Sequence, residues 1–187
     1  MSQTRTLTFL GICGSLRSGS LNAGVLRAAG ELLPGGVSLT VAPLHDIPLY
    51  NGDIEAHGIP ASVHALRDQI GAADALLIAT PEYNYSIPGV LKNAIDWASR
   101  PPDQPFAGKP IAILGASPGM FGTARSQLHL RQVLVALDGK PLGKPEVMIG
   151  SAANKFDAAG RLTDEPARKH VAGVLEALRA WTLRLRS

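Results

Sequence analysis

Cysteine is nearly absent: the chain of 187 residues has one, Cys13, which excludes an internal disulfide framework and any four-cysteine zinc site. Aromatic residues are scarce, at 5%, too few for the stacking platforms that single-strand nucleic-acid binders use. Charge of one sign is also lacking. The 18 basic and 15 acidic residues leave a net +3, scattered rather than gathered into a nucleic-acid footprint. No run approaches the roughly 18 consecutive apolar residues of a membrane span. The first eight residues are polar, carry Arg5, and hold no apolar stretch that would make a signal peptide. The five histidines are too dispersed for a metal set, so no metal is expected. What is present, 45% hydrophobic and 18% charged residues, is enough for one folded domain over 1–187 that needs neither disulfide nor metal. The expected setting is the cytoplasm.

Short apolar runs alternate with helical spacing. Residues 7–13, 75–79 and 110–115 are nearly continuous apolar runs, as strands buried on both faces require; 37–41 and 147–149 complete five strands. Apolar residues spaced by threes and fours mark five helices. They take in Leu21, Val63, Pro88 (as a first-turn proline), Leu128 (after a loop that ends at Gly122) and Val171. The stretch 43–60 shows no clear period. Five strands alternating with five helices predict an α/β three-layer sandwich around a parallel sheet, with the flavodoxin-like order 2-1-3-4-5. Right-handed crossovers then bring the loops after strands one, three and four to one edge.

The loop after the first strand, Gly14-Ser15-Leu16-Arg17-Ser18-Gly19-Ser20-Leu21-Asn22, collects three hydroxyls, a guanidinium and an amide where a helix begins. A helix N-terminus carries unpaired N–H groups and about half a positive charge, so a phosphate suits it. Neither a Walker lysine nor a G-x-G-x-x-G fingerprint is present. A cysteine phosphatase needs Cys-x₅-Arg, whereas Cys13 and Arg17 are spaced Cys-x₃-Arg, so Cys13 is expected to be a small buried residue. The loop after the third strand, Pro81-Glu82-Tyr83-Asn84-Tyr85-Ser86-Ile87-Pro88-Gly89, offers backbone amides and two amphipathic rings to a flat heterocycle. Lys92, Asn93, Asp96 and Trp97 read as scaffold on the helix that follows.

Together these motifs resemble the NADPH-dependent FMN reductase family, flavodoxin-like enzymes that include bacterial quinone and chromate reductases. The pattern G-S-x-R-x-x-S-x-N falls on Gly14, Ser15, Arg17, Ser20 and Asn22. The pattern P-E-Y-N-x-S-x-P-x-x-L-K-N-x-x-D-W spans 81–97. The resemblance implies that Ser15, Arg17, Ser20, Leu21 and Asn22 hold the FMN phosphate. Pro81, Glu82, Tyr83 and Asn84 would frame the isoalloxazine ring, with Tyr83 and Tyr85 shaping substrate access. In the third loop Ser117 and Gly119 are carried over as cofactor contacts, although Pro118 departs from the Ser-Gly-Gly of relatives.

The resemblance further implies hydride transfer from NADPH or NADH through FMN to quinones, azo compounds, chromate or free flavin. The chemistry is the cofactor's, with no catalytic side chain. It also implies a homodimer or homotetramer, in which Arg125 and Glu146 could take part, although a solvated surface pair is the simpler expectation for them. The rival is a one-electron flavodoxin-like carrier without NAD(P)H activity, against which the net positive charge speaks.

Overall fold

The structure is a computed structural model describing residues 5–186; the part of the polar N-terminus at 1–4, and residue 187, lie outside the described residues. Strands β1 (Leu7–Cys13), β2 (Val37–Ala42), β3 (Ala75–Ala79) and β4 (Pro110–Ala116) form parallel pairs in the order β2-β1-β3-β4. Leu7 stands opposite Val37, Phe9 opposite Ala75, and Leu76 opposite Ile111. The fifth place in the sheet completes the expected order 2-1-3-4-5. It is shared by two short pieces, β5 (Lys140–Pro141) and β6 (Val147–Ile149), both parallel to β4. Pro141 and Pro145 lack the N–H that a continuous strand would donate, which accounts for the break between the pieces.

The described residues form six α-helices, of which all but α2 pack on the sheet: α1 (Leu21–Glu31), α2 (Gly52–Ala56), α3 (Ala61–Ala72), α4 (Gly89–Ala98), α5 (Ala124–Ala136) and α6 (Glu165–Arg186). The short α2 lies in the stretch without a clear period and buries no residue, so it carries no apolar stripe to read. Pro88 is the N-cap of α4 rather than its first helical residue.

Alternation across the strands creates two cores. On one face Phe9, Leu77 and Leu114 pack with Val25 of α1 and Val171, Val174 and Leu178 of α6. On the other, Ile12, Ile78 and Ile113 pack with Leu66 and Ile70 of α3, Leu91 and Ile95 of α4, and Leu130 and Leu134 of α5. Because α1 covers one face and α3, α4 and α5 the other, the chain diverges between β1 and β3. That point is where open α/β sheets leave a crevice for a ligand.

Candidate active site at the carboxyl edge

The loop after β1 enters α1 through Ser20, the N-cap, whose hydroxyl accepts the Ala23 N–H at 3.2 Å. The first-turn N–H groups of Leu21 and Asn22 lie ahead of any intrahelical acceptor, as helix geometry requires. The Asn22 side chain is buried and doubly committed. Its amide donates to Ala116 O at 3.0 Å, and its oxygen accepts Ala116 N–H at 2.9 Å, clamping α1 to the end of β4. Asn22 can therefore offer an anion its backbone N–H but not its side chain. Arg17 is exposed, and its guanidinium meets no partner among the described residues, while its own N–H reaches Ser15 Oγ at 3.4 Å. Cys13 is half-buried rather than buried, because the strand ends there and its Sγ lies 3.9 Å from Ser20 Oγ.

Gly14 sits where this loop meets the loop after β3. A Cβ at Gly14 would lie 3.1 Å from Pro81 Cδ and 3.2 Å from side-chain atoms of Pro88 and Leu91. The two loops thus approach at backbone distance. They flank a shallow, open cavity of about 400 Å³ lined by Ser15, Leu16, Arg17, Tyr83, Pro88 and Val90, with Gly14 and Gly89. The Arg17 guanidinium and the Ser15 hydroxyl at one end, on the loop that enters α1, fit a phosphate. Tyr83, Pro88 and Val90 give the other wall an apolar character that fits a flat ring.

The loop after β3 makes a two-residue turn. Tyr83 and Ser86 exchange backbone hydrogen bonds at 3.2 and 3.0 Å, while Asn84 and Tyr85 have φ of 48° and 67°. Both central residues at positive φ give the I′ type, which suits Asn but strains Tyr. Glu82 turns away from the cavity. Its carboxylate accepts Nη1 of Arg125 at 2.7 Å and the N–H groups of Arg125 at 3.0 Å and Ser126 at 3.3 Å. Burial pushes the Glu82 carboxyl up, but these donors and the Arg125 charge outweigh it and hold the group below its ordinary value.

Ser117 and Gly119, the carried-over residues of the third loop, do not line the cavity. Ser117 N–H donates to Ile149 O at 3.0 Å, its Oγ donates to Gly119 O at 3.2 Å, and Gly119 O also accepts Ser151 N–H at 2.9 Å. These bonds staple the loop to the segment after β6. Arg125 and Glu146 do not pair with each other: Arg125 binds Glu82, and Glu146 lies 3.8 Å from Arg131. Leu16, Pro88, Gly89, Val90 and Arg125 were not singled out as site residues from the sequence. Pro88 is itself a fixed residue of the second motif and Leu16, Gly89 and Val90 fall at its or the first motif's variable positions, so all four could have been taken with them; nothing local marks Arg125.

Lys92, Asn93, Asp96 and Trp97 are scaffold. Lys92 pairs with Asp96 at 2.8 Å, and Asn93 Nδ2 and Trp97 Nε1 both donate to Pro48 O, at 2.8 and 2.9 Å. They hold the segment after β2 against α4. A larger open cleft of about 870 Å³ lies at the opposite, amino edge between α3 and residues 102–105. Its Arg67 is engaged with Asp103 O at 2.8 Å, and it touches none of the motif loops. Among the described residues no cluster of three or more His, Cys, Asp or Glu could hold a metal, and no helix is long and apolar enough to cross a membrane.

The chain is 64% identical over 177 residues to the NAD(P)H-dependent FMN reductase of Pseudomonas aeruginosa, covering 95% of this chain and 96% of that protein. It is 49% identical over 169 residues to the quinone reductase of Escherichia coli K12, covering 89% and 90%. Its fold superimposes on FerB, a flavoenzyme NAD(P)H:(acceptor) oxidoreductase from Paracoccus denitrificans, with a TM-score of 0.86 at 38% identity, over 95% of this chain and 98% of that one. The model of the NADPH-dependent FMN reductase family matches residues 7–154, a span that takes in β1 through β6 and every loop of the site, and the chain belongs to that family.

Proposed function

We propose that the protein is an FMN-dependent NAD(P)H oxidoreductase that passes a hydride from NADPH or NADH to quinones or similar small acceptors. The observation that carries this reading is the arrangement at the mouth of α1. There an exposed Arg17, whose guanidinium meets no partner among the described residues, and Ser15 line a cavity whose other wall is apolar, on the loop that leads into the first turn of α1. Arg17 and Ser15 bind the cofactor phosphate with the N–H groups of Leu21 and Asn22, and Ser20 keeps that helix end open by capping it. Pro81, Glu82, Tyr83 and Asn84 set the backbone against the ring, with Tyr83 at the rim. Ser117 and Gly119 act as a stapled neighbouring wall. When bound, FMN supplies the two-electron carrier between donor and acceptor. The side chains bind, orient and exclude water, and none needs to move a proton.

One pocket serves donor and acceptor in turn, because no second nucleotide fingerprint exists in the chain. Varying NADPH and a quinone together should give parallel double-reciprocal lines; intersecting lines would require a ternary complex and contradict the shared pocket. We read residues 1–187 as one domain acting in the cytoplasm as a homodimer or homotetramer, without nucleic-acid or membrane partners. Exposed apolar side chains around the site edge, Leu16, Leu49, Met120 and Phe121, supply surface for self-association.

A further inference from the structure

The loop after β3 is not held by its own turn alone. The N-cap of helix α5 is Thr123, which has φ of 72° and makes no side-chain cap hydrogen bond. The cap comes instead from Glu82, whose carboxylate takes the N–H groups of Arg125 and Ser126. The same carboxylate holds Arg125, and the Arg125 guanidinium lies 3.9 Å from the centre of the Tyr85 ring and 4.3 Å from that of Phe121. Below, Thr80 Oγ1 and Ser126 Oγ, both buried, meet at 3.0 Å. Three elements are thus joined: the loop after β3 through Glu82 and Tyr85, the loop after β4 through Phe121, and the first turn of α5. Tyr85 needs such a hold, because a bulky residue at positive φ is strained and persists only where its surroundings fix it.

We propose that Glu82 and Arg125 are positioning residues. By clasping the Tyr85 ring and the N-terminus of α5, they fix the Asn84–Tyr85 turn and with it the backbone that receives the flavin ring. The proposal rests on the reading that this loop frames the ring. It assigns the Glu82 side chain to the loop's hold on α5, and the Arg125 side chain to the stacking that keeps a strained tyrosine in place.

Flavin-stripped native protein, Glu82→Gln and Arg125→Met are titrated with FMN and with riboflavin, followed by flavin fluorescence, with thermal melts of each. Arg125→Met leaves Glu82 free to cap α5, so it separates the clasp from simple helix capping and serves also if Glu82→Gln fails to fold. Each variant should weaken both flavins by the same factor, roughly 10- to 100-fold, because the two ligands share the ring and differ at the phosphate. The double variant should be weakened by little more than either single one. Two outcomes overturn the proposal: unchanged affinity for both flavins with only a lower melting temperature, or weakening of FMN alone. If the native protein binds neither flavin, the flavin reading itself falls, and that result is distinct from both.

Discussion

Arg17 stands on the loop that enters α1, and its guanidinium has no partner among the described residues, so its replacement removes little from the fold. Arg17→Ala should weaken FMN by roughly 10- to 150-fold, the value of a charge-assisted hydrogen bond of about 1.5–3 kcal/mol, and leave riboflavin nearly unchanged. Titration of both ligands decides it: equal weakening would make the residue structural. Asn22, buried in the first turn of α1, behaves oppositely. Asn22→Leu would leave the N–H and C=O of Ala116 buried and unpaired, costing about 1–3 kcal/mol of stability by denaturant unfolding. Tyr83 and Tyr85 are exposed at the rim, and replacing either by Phe should keep quinone turnover within about tenfold, or ~1.4 kcal/mol of barrier. A loss of several orders of magnitude would make the phenol a proton donor. At this scale the sequence revealed the two contiguous loops that meet at the cavity, although of the residues expected there only Ser15, Arg17 and Tyr83 line it. It did not reveal where Asn22 and Glu82 point. Their partners Ala116 and Arg125 lie 94 and 43 residues away, and only the packed sheet brings them together.

Among the elements, β1, β3 and β4 were legible because strands buried on both faces read as unbroken apolar runs. The edge was harder. Two proline-interrupted pieces carry too few residues to show a period, and α2 buries nothing. The junction of β4 with α5 turns on Gly115. A Cβ there would fall 2.0 Å from Thr123 Oγ1 and 2.5 Å from Thr80 O, so Gly115 lets the start of α5 settle on the sheet end. Gly115→Ala should therefore lower stability by about 1–3 kcal/mol, as overpacking of a closed core does. It should also disturb the loop that carries Phe121. A melting temperature equal to the native one would mean that this junction yields more easily than its contacts imply.

Across the whole molecule, the amino edge of the sheet is tied by one buried carboxylate. Asp74 accepts the Thr8 N–H at 2.8 Å and pairs with Arg186 at the end of α6 and with Arg5 at 3.5 Å. Burial pushes its carboxyl up, but the Thr8 N–H and the two guanidinium groups outweigh it and hold the value below the ordinary 3.8. A group depressed in the folded state adds stability that is complete above its unfolded value and disappears as pH falls through the folded one. The melting-temperature gap between native protein and Asp74→Asn should accordingly be widest near neutrality and close under acid conditions. A gap independent of pH would assign the effect to packing.

The reading of the carboxyl edge as a flavin site that exchanges electrons with a pyridine nucleotide is tested most directly by an anaerobic titration of the FMN-loaded protein with NADPH or NADH. Bleaching of the yellow flavin by one equivalent of reductant per flavin, with full return of colour when a quinone is added, is the expected result. Flavin that stays oxidised with both nucleotides in excess would contradict it.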